Sequence, residues 1–182
     1  AVTVGCLLPP LSAEPALELV QPTSAPASAD DPAWYEAHSL TVEGQGWTDT
    51  AEPWHRLPAK AKGVVRKEVW GLGTHSAGIA VRFVTDSARI QARWTVTSSG
   101  LAMSHMPATG VSGLDLYVRL DDGWHWAGAG RPGSSPANEA TLVGNAPAGQ
   151  HEYMLYLPLY NGTKSLEIRS EEHTSELQSP NT

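Results

Sequence analysis

Apolar and polar residues alternate with a period of two through much of the chain between Trp34 and Ile168, and Gly, Asn, Asp and Pro interrupt the pattern at short intervals. "HSLTVEG" is the first predicted strand and "VVRKEVW", Val64 to Trp70, the second. In "AGIAVRFVT", Ile79, Val81 and Phe83 place three apolar side chains on one face. "ARIQARWTVT" follows across Asp86-Ser87 as the returning arm of an expected hairpin. A second hairpin is expected where "GLDLYVRL" and "GWHWAGAG" meet at Asp121-Asp122-Gly123, because the Asp-Gly step suits positive φ. The third joins "EYMLYLPLY" to "KSLEI" through Asn161-Gly162. No segment has a convincing helical period. Short strands separated by frequent turns predict an all-β fold, a β-sandwich or jelly-roll-like domain.

Composition sets the boundaries of that unit. The run "EPALELVQPTSAPASADDPA", Glu14 to Ala33, is too rich in Pro, Ala, Ser and Asp to bury enough apolar surface, and is expected to be a disordered linker. Ahead of it, "AVTVGCLLPPLSAEPA" resembles the end of a signal peptide without its basic start, which predicts export to a secreted or periplasmic location. Gly5-Cys6 imitates a lipoprotein cleavage box, but Thr3 stands where such boxes usually carry Leu. Residues 1–33 are thus expected to be leader remnant and linker, 34–168 the folded domain, and 169–182 a separate polar tail.

Charge and cysteine content narrow the function. A net charge of −7 with no Lys/Arg cluster excludes a phosphate-tracking surface, so no nucleic-acid partner is expected. The single Cys6 excludes an intrachain disulfide framework and a Cys-rich zinc site. No apolar run reaches the roughly 18–20 residues of a transmembrane helix.

Several short strings imitate catalytic motifs at the wrong spacing. Ser112 lies in "GVSGL" and Ser76 in "THSAG", each lacking one Gly of the Gly-x-Ser-x-Gly elbow and the helix that should follow. Asp122 and His125 in "DGWH" have Asp-x-x-His spacing, yet Asp122 belongs to a turn. Asp86-Ser87 has no preceding Gly. No catalytic residue is assigned. His105 between Met103 and Met106 offers imidazole and thioether ligands suited to copper, but no second ligand cluster accompanies it, so neither metal nor cofactor is expected. That loop is read instead as a wall of a binding site. Trp124 and Trp126 share one strand face, where they either pack the core or form a sugar platform. The Asn161-Gly162-Thr163 sequon is explained by its turn.

"MPATGVSGLDLYVRLDDGWHWAGAG" and "YLPLYNGTKSLEI", supported by "WHRLPAKAKGVVR" and "HSAGIAVRFVTDS", resemble the N-terminal GxDLY domain of SGNH (GDSL-like) hydrolase-type esterases. The motif is Gly113-Leu114-Asp115-Leu116-Tyr117, and the resemblance runs from about Trp47 to Ile168. It implies a jelly-roll-like domain followed by an α/β catalytic domain with a serine nucleophile and an Asp-x-x-His block, and the full-length protein is expected to hydrolyse acyl esters, with carbohydrate as one candidate carrier of the acyl group. Neither block can be placed in this sequence, so the chain is expected to be a non-catalytic fragment whose partner is the missing C-terminal domain. His105, Gly113, Asp115 and Tyr117 are the candidate motif or substrate-proximal residues. The other role open to Asp115 is structural, a buried carboxylate accepting backbone hydrogen bonds. After Ile168, "RSEEHTSELQS" resembles a translated sequencing adapter, which makes 169–182 an expected artefact, disordered. The competing functions are a stand-alone carbohydrate-binding module, for which Trp124 and Trp126 would be the platform, and a structural sandwich dimerising through an edge strand.

Overall fold

A computed structural model describes residues 17–21, 33–146, 148–171 and 177–180. The elements in chain order are β1 (Leu17–Leu19), β2 (Trp34–Glu36), β3 (Thr41–Glu43), α1 (Lys67–Gly73), β4 (Ala80–Thr85), β5 (Arg89–Val96), α2 (Ala108–Ser112), β6 (Leu114–Leu120), β7 (Gly123–Gly130), β8 (Ala137–Val143), β9 (His151–Tyr156), β10 (Thr163–Glu171) and β11 (Gln178–Pro180). They form two antiparallel sheets, as expected of an all-β sandwich. The larger runs β1-β11-β4-β9-β6-β7 with β3 also on β4, and the smaller runs β2-β10-β5-β8.

Alternation along each strand builds the core between the sheets. Ile79, Val81, Phe83, Leu114, Leu116, Tyr153 and Leu155 point inward from the larger sheet, and Ile90, Ala92, Trp94, Leu166 and Ile168 from the smaller; all are essentially unexposed. Phe83 and Tyr153 stack at 5.5 Å, and the Trp94 indole donates to the Ser112 carbonyl at 3.0 Å. Burying each of the larger of these side chains contributes roughly 1.5–3 kcal/mol. At one border the sheets nearly touch. A Cβ on Gly128 would lie 1.9 Å from the Leu142 carbonyl oxygen, so only glycine lets β7 approach β8 this closely.

Of the three expected hairpins, one forms. β6 and β7 pair from Leu120↔Gly123 through Leu114↔Gly130, and Gly123 alone takes the positive φ, +127°. β4 and β5 instead enter opposite sheets, β4 beside β9 and β5 beside β10 and β8. The Ser87 hydroxyl donates to the Arg89 carbonyl and the Ser87 amide to Thr85 Oγ1, so the short connector arches over the core edge. Likewise β9 and β10 do not pair, and Asn161, wholly buried, carries the chain between sheets. Both faces of these misread connections are explained by core demand: each flanking strand has an apolar face, and two such faces bury more area opposite each other than side by side.

Two other expectations change. Val64–Trp70 is not a strand: α1 begins at Lys67, and Val64, Val69 and Leu72 stay exposed. α2 forms where no helix was predicted. Of "HSLTVEG", only Thr41–Glu43 is strand, with His38 and Ser39 in a 3-10 turn. Short segments also lie within the stretches read from composition as linker and tail: Leu17–Leu19 pairs with Gln178–Pro180, Leu177 is buried, and β10 continues past Ile168 to Glu171.

The end of α1 is tied down by Arg56, whose guanidinium donates to the carbonyls of His75 at 3.0 Å and Leu72 at 2.5 Å. Burial holds the His75 pKa below its ordinary value, with the Arg56 charge acting in the same direction. Burial also lowers that of His55, partly offset by Glu52. Below the ordinary histidine value of about 6.5, the unfolded chain therefore binds more protons than the folded one, and the stabilisation present above that pH is lost as pH falls. The urea midpoint is expected to drop on acidification from pH ~7 to ~5.5, and a His55→Gln/His75→Gln variant to show a shallower drop. Glu36, raised by burial, acts oppositely, its contribution being present at low pH and lost as pH rises through its folded value. An equally steep fall in the double variant would refute the assignment.

Candidate functional site

The motif strand β6 divides its residues between two environments. Leu114, Leu116 and Val118 enter the core, whereas Asp115, Tyr117 and Arg119 face outward from the larger sheet. Gly113, just before the strand, is sealed in: a Cβ there would meet Thr109 O at 2.4 Å and Gly130 O at 2.6 Å. Pairing aligns Asp115 with Ala129 and Tyr156, and Tyr117 with Trp126 and Met154. A bulge between Leu116 and Tyr117 absorbs Ala127 and keeps Trp124, Trp126 and Ala129 on the outer face.

That face carries a group of exposed aromatic side chains, while Trp47 and Tyr160 are exposed elsewhere on the domain. Trp126 is 61% exposed, Tyr156 39% and Trp124 37%, so the two tryptophans belong to the surface and not to the core. Tyr117 meets Tyr156 edge-on, centroids 5.8 Å apart, and Arg119 lies 5.8 Å over Trp124. Arg119 also approaches Glu152 at 3.5 Å, and Glu152 pairs with Arg82, which reaches Glu43 at 2.6 Å. Asp115 is half-buried, and its carboxylate takes no hydrogen bond or ion pair among the described residues. It is therefore not the backbone-bonded buried acid that its structural role would require.

Of the residues singled out from the sequence, Asp115, Tyr117, Trp124 and Trp126 are brought together on this face, with Gly113 at its border. His105 is not among them: it occupies the exposed tip of a tight turn closed by Met103 and Met106 backbone bonds of 3.0 and 3.3 Å. Tyr156, Arg119 and Glu152 were missed, although alternation in "EYMLYL" places Glu152, Met154 and Tyr156 on one face.

The imitation motifs have structural occupations. Ser112 and Ser76 are unexposed; the Ser112 hydroxyl accepts from Asn161 Nδ2 and Ser76 Oγ from the Thr163 amide, both at 3.0 Å. Asp122 and His125 contact each other at 2.6 Å, and the pairing lowers the Asp122 pKa, but both sit exposed at the β6–β7 turn and neither is a bonding partner of Ser76 or Ser112. Among the described residues no group of three or more His, Cys, Asp or Glu side chains is placed to hold a metal ion, and no helix is long and apolar enough to cross a membrane.

These features define an antiparallel β-sandwich domain with an aromatic and acidic group on the outer face of its larger sheet. The chain belongs to the GxDLY family, the N-terminus of SGNH-hydrolase-type esterases, whose family model matches residues 32–175. Among solved structures it is similar to a candidate GDSL-like lipase from Bacteroides ovatus, with 32% identity and a TM-score of 0.72 over 83% of this chain and 44% of that one. It shares its fold with the salicylyl-acyltransferase SsfX3 from a tetracycline biosynthetic pathway, at 21% identity and a TM-score of 0.63 over 86% of this chain and 43% of that one. The chain thus spans less than half the length of either protein. No curated protein matches it.

Proposed function

We propose that this chain is the non-catalytic accessory domain of an exported SGNH-type esterase, whose acyl-ester chemistry resides in a C-terminal α/β domain outside these 182 residues. The observation that carries the reading is the family match over residues 32–175, together with the small share of the lipase-like relative that the chain spans. The two motif-like serines support it, since each is buried and committed to a fold-forming hydrogen bond. A nucleophile needs a base within hydrogen-bond reach, and neither has a histidine, carboxylate or lysine as its bonding partner.

The purified chain is expected to release p-nitrophenol from p-nitrophenyl acetate no faster than buffer. Saturable hydrolysis that disappears in Ser76→Ala or Ser112→Ala would overturn the non-catalytic reading. Reading the gene beyond Ile168 from independent template is the complementary test, since an immediate in-frame stop would remove the esterase partner.

The second reading, a carbohydrate-binding module, is favoured by one observation: Trp124 and Trp126 lie exposed on an outward sheet face.

A further inference from the structure

The outer face of β6, β7 and β9 combines two features that seldom coexist on a merely solvated sheet. One is a contiguous aromatic group, Trp126 beside Tyr117 with Tyr156 edge-on behind it. The other is the half-buried Asp115 carboxylate, two residues along the same strand face and without a partner among the described residues. The β7 residue opposite Asp115 is only Ala129 and its neighbours are Gly128 and Gly130, so nothing large rises from that strand over the acid. The result is a slot open on the β7 side: Tyr156 flanks the acid on β9, and the Trp126 indole stands one row away along the same face.

Pyranose rings match this shape chemically. Their axial C–H faces stack on the negative face of an indole, and their edges present hydroxyl donors to a carboxylate. Adjacent strands lie about 4.8 Å apart, so the Trp126, Tyr117 and Met154 rows span ~10 Å, room for one or two sugar rings. The unpaired carboxylate and the chain's net charge of −7 select against an anionic polymer. Arg119 does not reverse that preference, because it is already engaged by the Trp124 ring and Glu152.

We infer that this face is a subsite for an uncharged glycan, with Trp126 as the stacking platform and Asp115 as the hydroxyl acceptor. The inference deepens the carbohydrate reading above by naming the ligand class and the acceptor. Within an esterase it would hold the polysaccharide that bears the acyl group.

The test is affinity electrophoresis of the full 182-residue chain in gels containing xylan, galactomannan, mixed-linkage β-glucan or polygalacturonate. At least one of the three neutral polymers should retard it. Trp126→Ala should weaken that binding at least about tenfold and Asp115→Asn about threefold to tenfold, the range of one or two lost weak contacts. Trp126→Phe, which keeps a ring, should retain binding within a few-fold. Because Trp126 is mostly exposed, the variants should keep wild-type melting curves, so lost binding is not lost folding. Retardation by none of the neutral polymers, equal retardation by polygalacturonate, or undiminished binding by Trp126→Ala would each overturn the inference. Such a failure leaves the accessory-domain reading intact, since that depends on the hydrolase sequence downstream; a stop codon there leaves the glycan subsite intact.

Discussion

Gly113→Ala is expected to destabilise the domain by about 3 kcal/mol, although the change adds a single methyl group. The reason is space and not backbone freedom. Gly113 has φ −91° and ψ −178°, an extended conformation open to any residue. Its missing side chain matters because Thr109 O, Gly130 O and Thr109 Cα would lie 2.4, 2.6 and 2.8 Å from a Cβ, and all three are backbone atoms. Relief would require α2 to move off β6 or β6 to part from β7, and Gly113 also donates its amide to Thr109 O at 3.1 Å. Gly133→Ala serves as the control, since nothing lies within 4 Å of its Cβ position. Urea denaturation of the two variants measures the difference, with Gly133→Ala expected within about 0.5 kcal/mol of the parent. Equal midpoints would show that α2 yields freely and that the glycine of the motif is not held by packing.

This division explains the five-residue motif as physics. Gly113 lets a helix turn close on a strand, Leu114 and Leu116 fill the core, and Asp115 and Tyr117 occupy the outer face. The two functions are interleaved by the period of two, so one short string encodes both a packing constraint and a surface.

How far the sequence reveals the fold depends on which property each element uses. Alternation identified β4 to β7, β9 and most of β10, because a half-buried strand writes its burial directly into its pattern. It could not say which strands pair. Asp86-Ser87 and Asn161-Gly162 have the composition of tight hairpin turns, yet both connect opposite sheets, since a polar pair that can reverse the chain can equally arch it over a core edge. α1 was illegible for another reason. "VVRKEVW" alternates weakly, but Val64 is 82% exposed and Val69 36%, so its pattern was never shaped by burial. At the site, Trp124 and Trp126 were recognisable as sharing a face, but facing inward or outward turns on a one-residue register, and the bulge at Ala127 that offsets it is marked locally only by Gly128 beside it. The free state of Asp115 is likewise a property of its neighbours across two strands, Ala129 and Tyr156, neither of which is near it in sequence.

Asn161→Ala is expected to cost about 3–4 kcal/mol, more than a turn residue would, because this wholly buried side chain ties its own connection to the 97–98 loop and to the end of α2. Its Oδ1 accepts from the Ser98 amide at 2.9 Å and from Thr97 Oγ1 at 3.3 Å, while Nδ2 donates to the Ser98 carbonyl and to Ser112 Oγ, each at 3.0 Å. Its own carbonyl accepts from the Ser76 amide at 3.2 Å. Alanine removes four side-chain bonds at a position with no exposure, leaving the Ser98 amide and the Ser112 hydroxyl without their partner. Asn161→Asp separates donor from acceptor: it keeps the two accepting bonds, loses the two donated ones and places a charge beside a carbonyl, so its destabilisation should be at least as large. Denaturant melts give the magnitudes, and amide exchange at Ser98 gives the mechanism, since that proton should exchange much faster in Asn161→Ala under native conditions. The same burial makes Asn161 inaccessible as a sequon in the folded domain, so glycan found there would have to be attached before folding. A loss below about 1 kcal/mol, the range of an ordinary exposed turn, would mean that the sheet crossing is held by its flanking strands and not by this side chain.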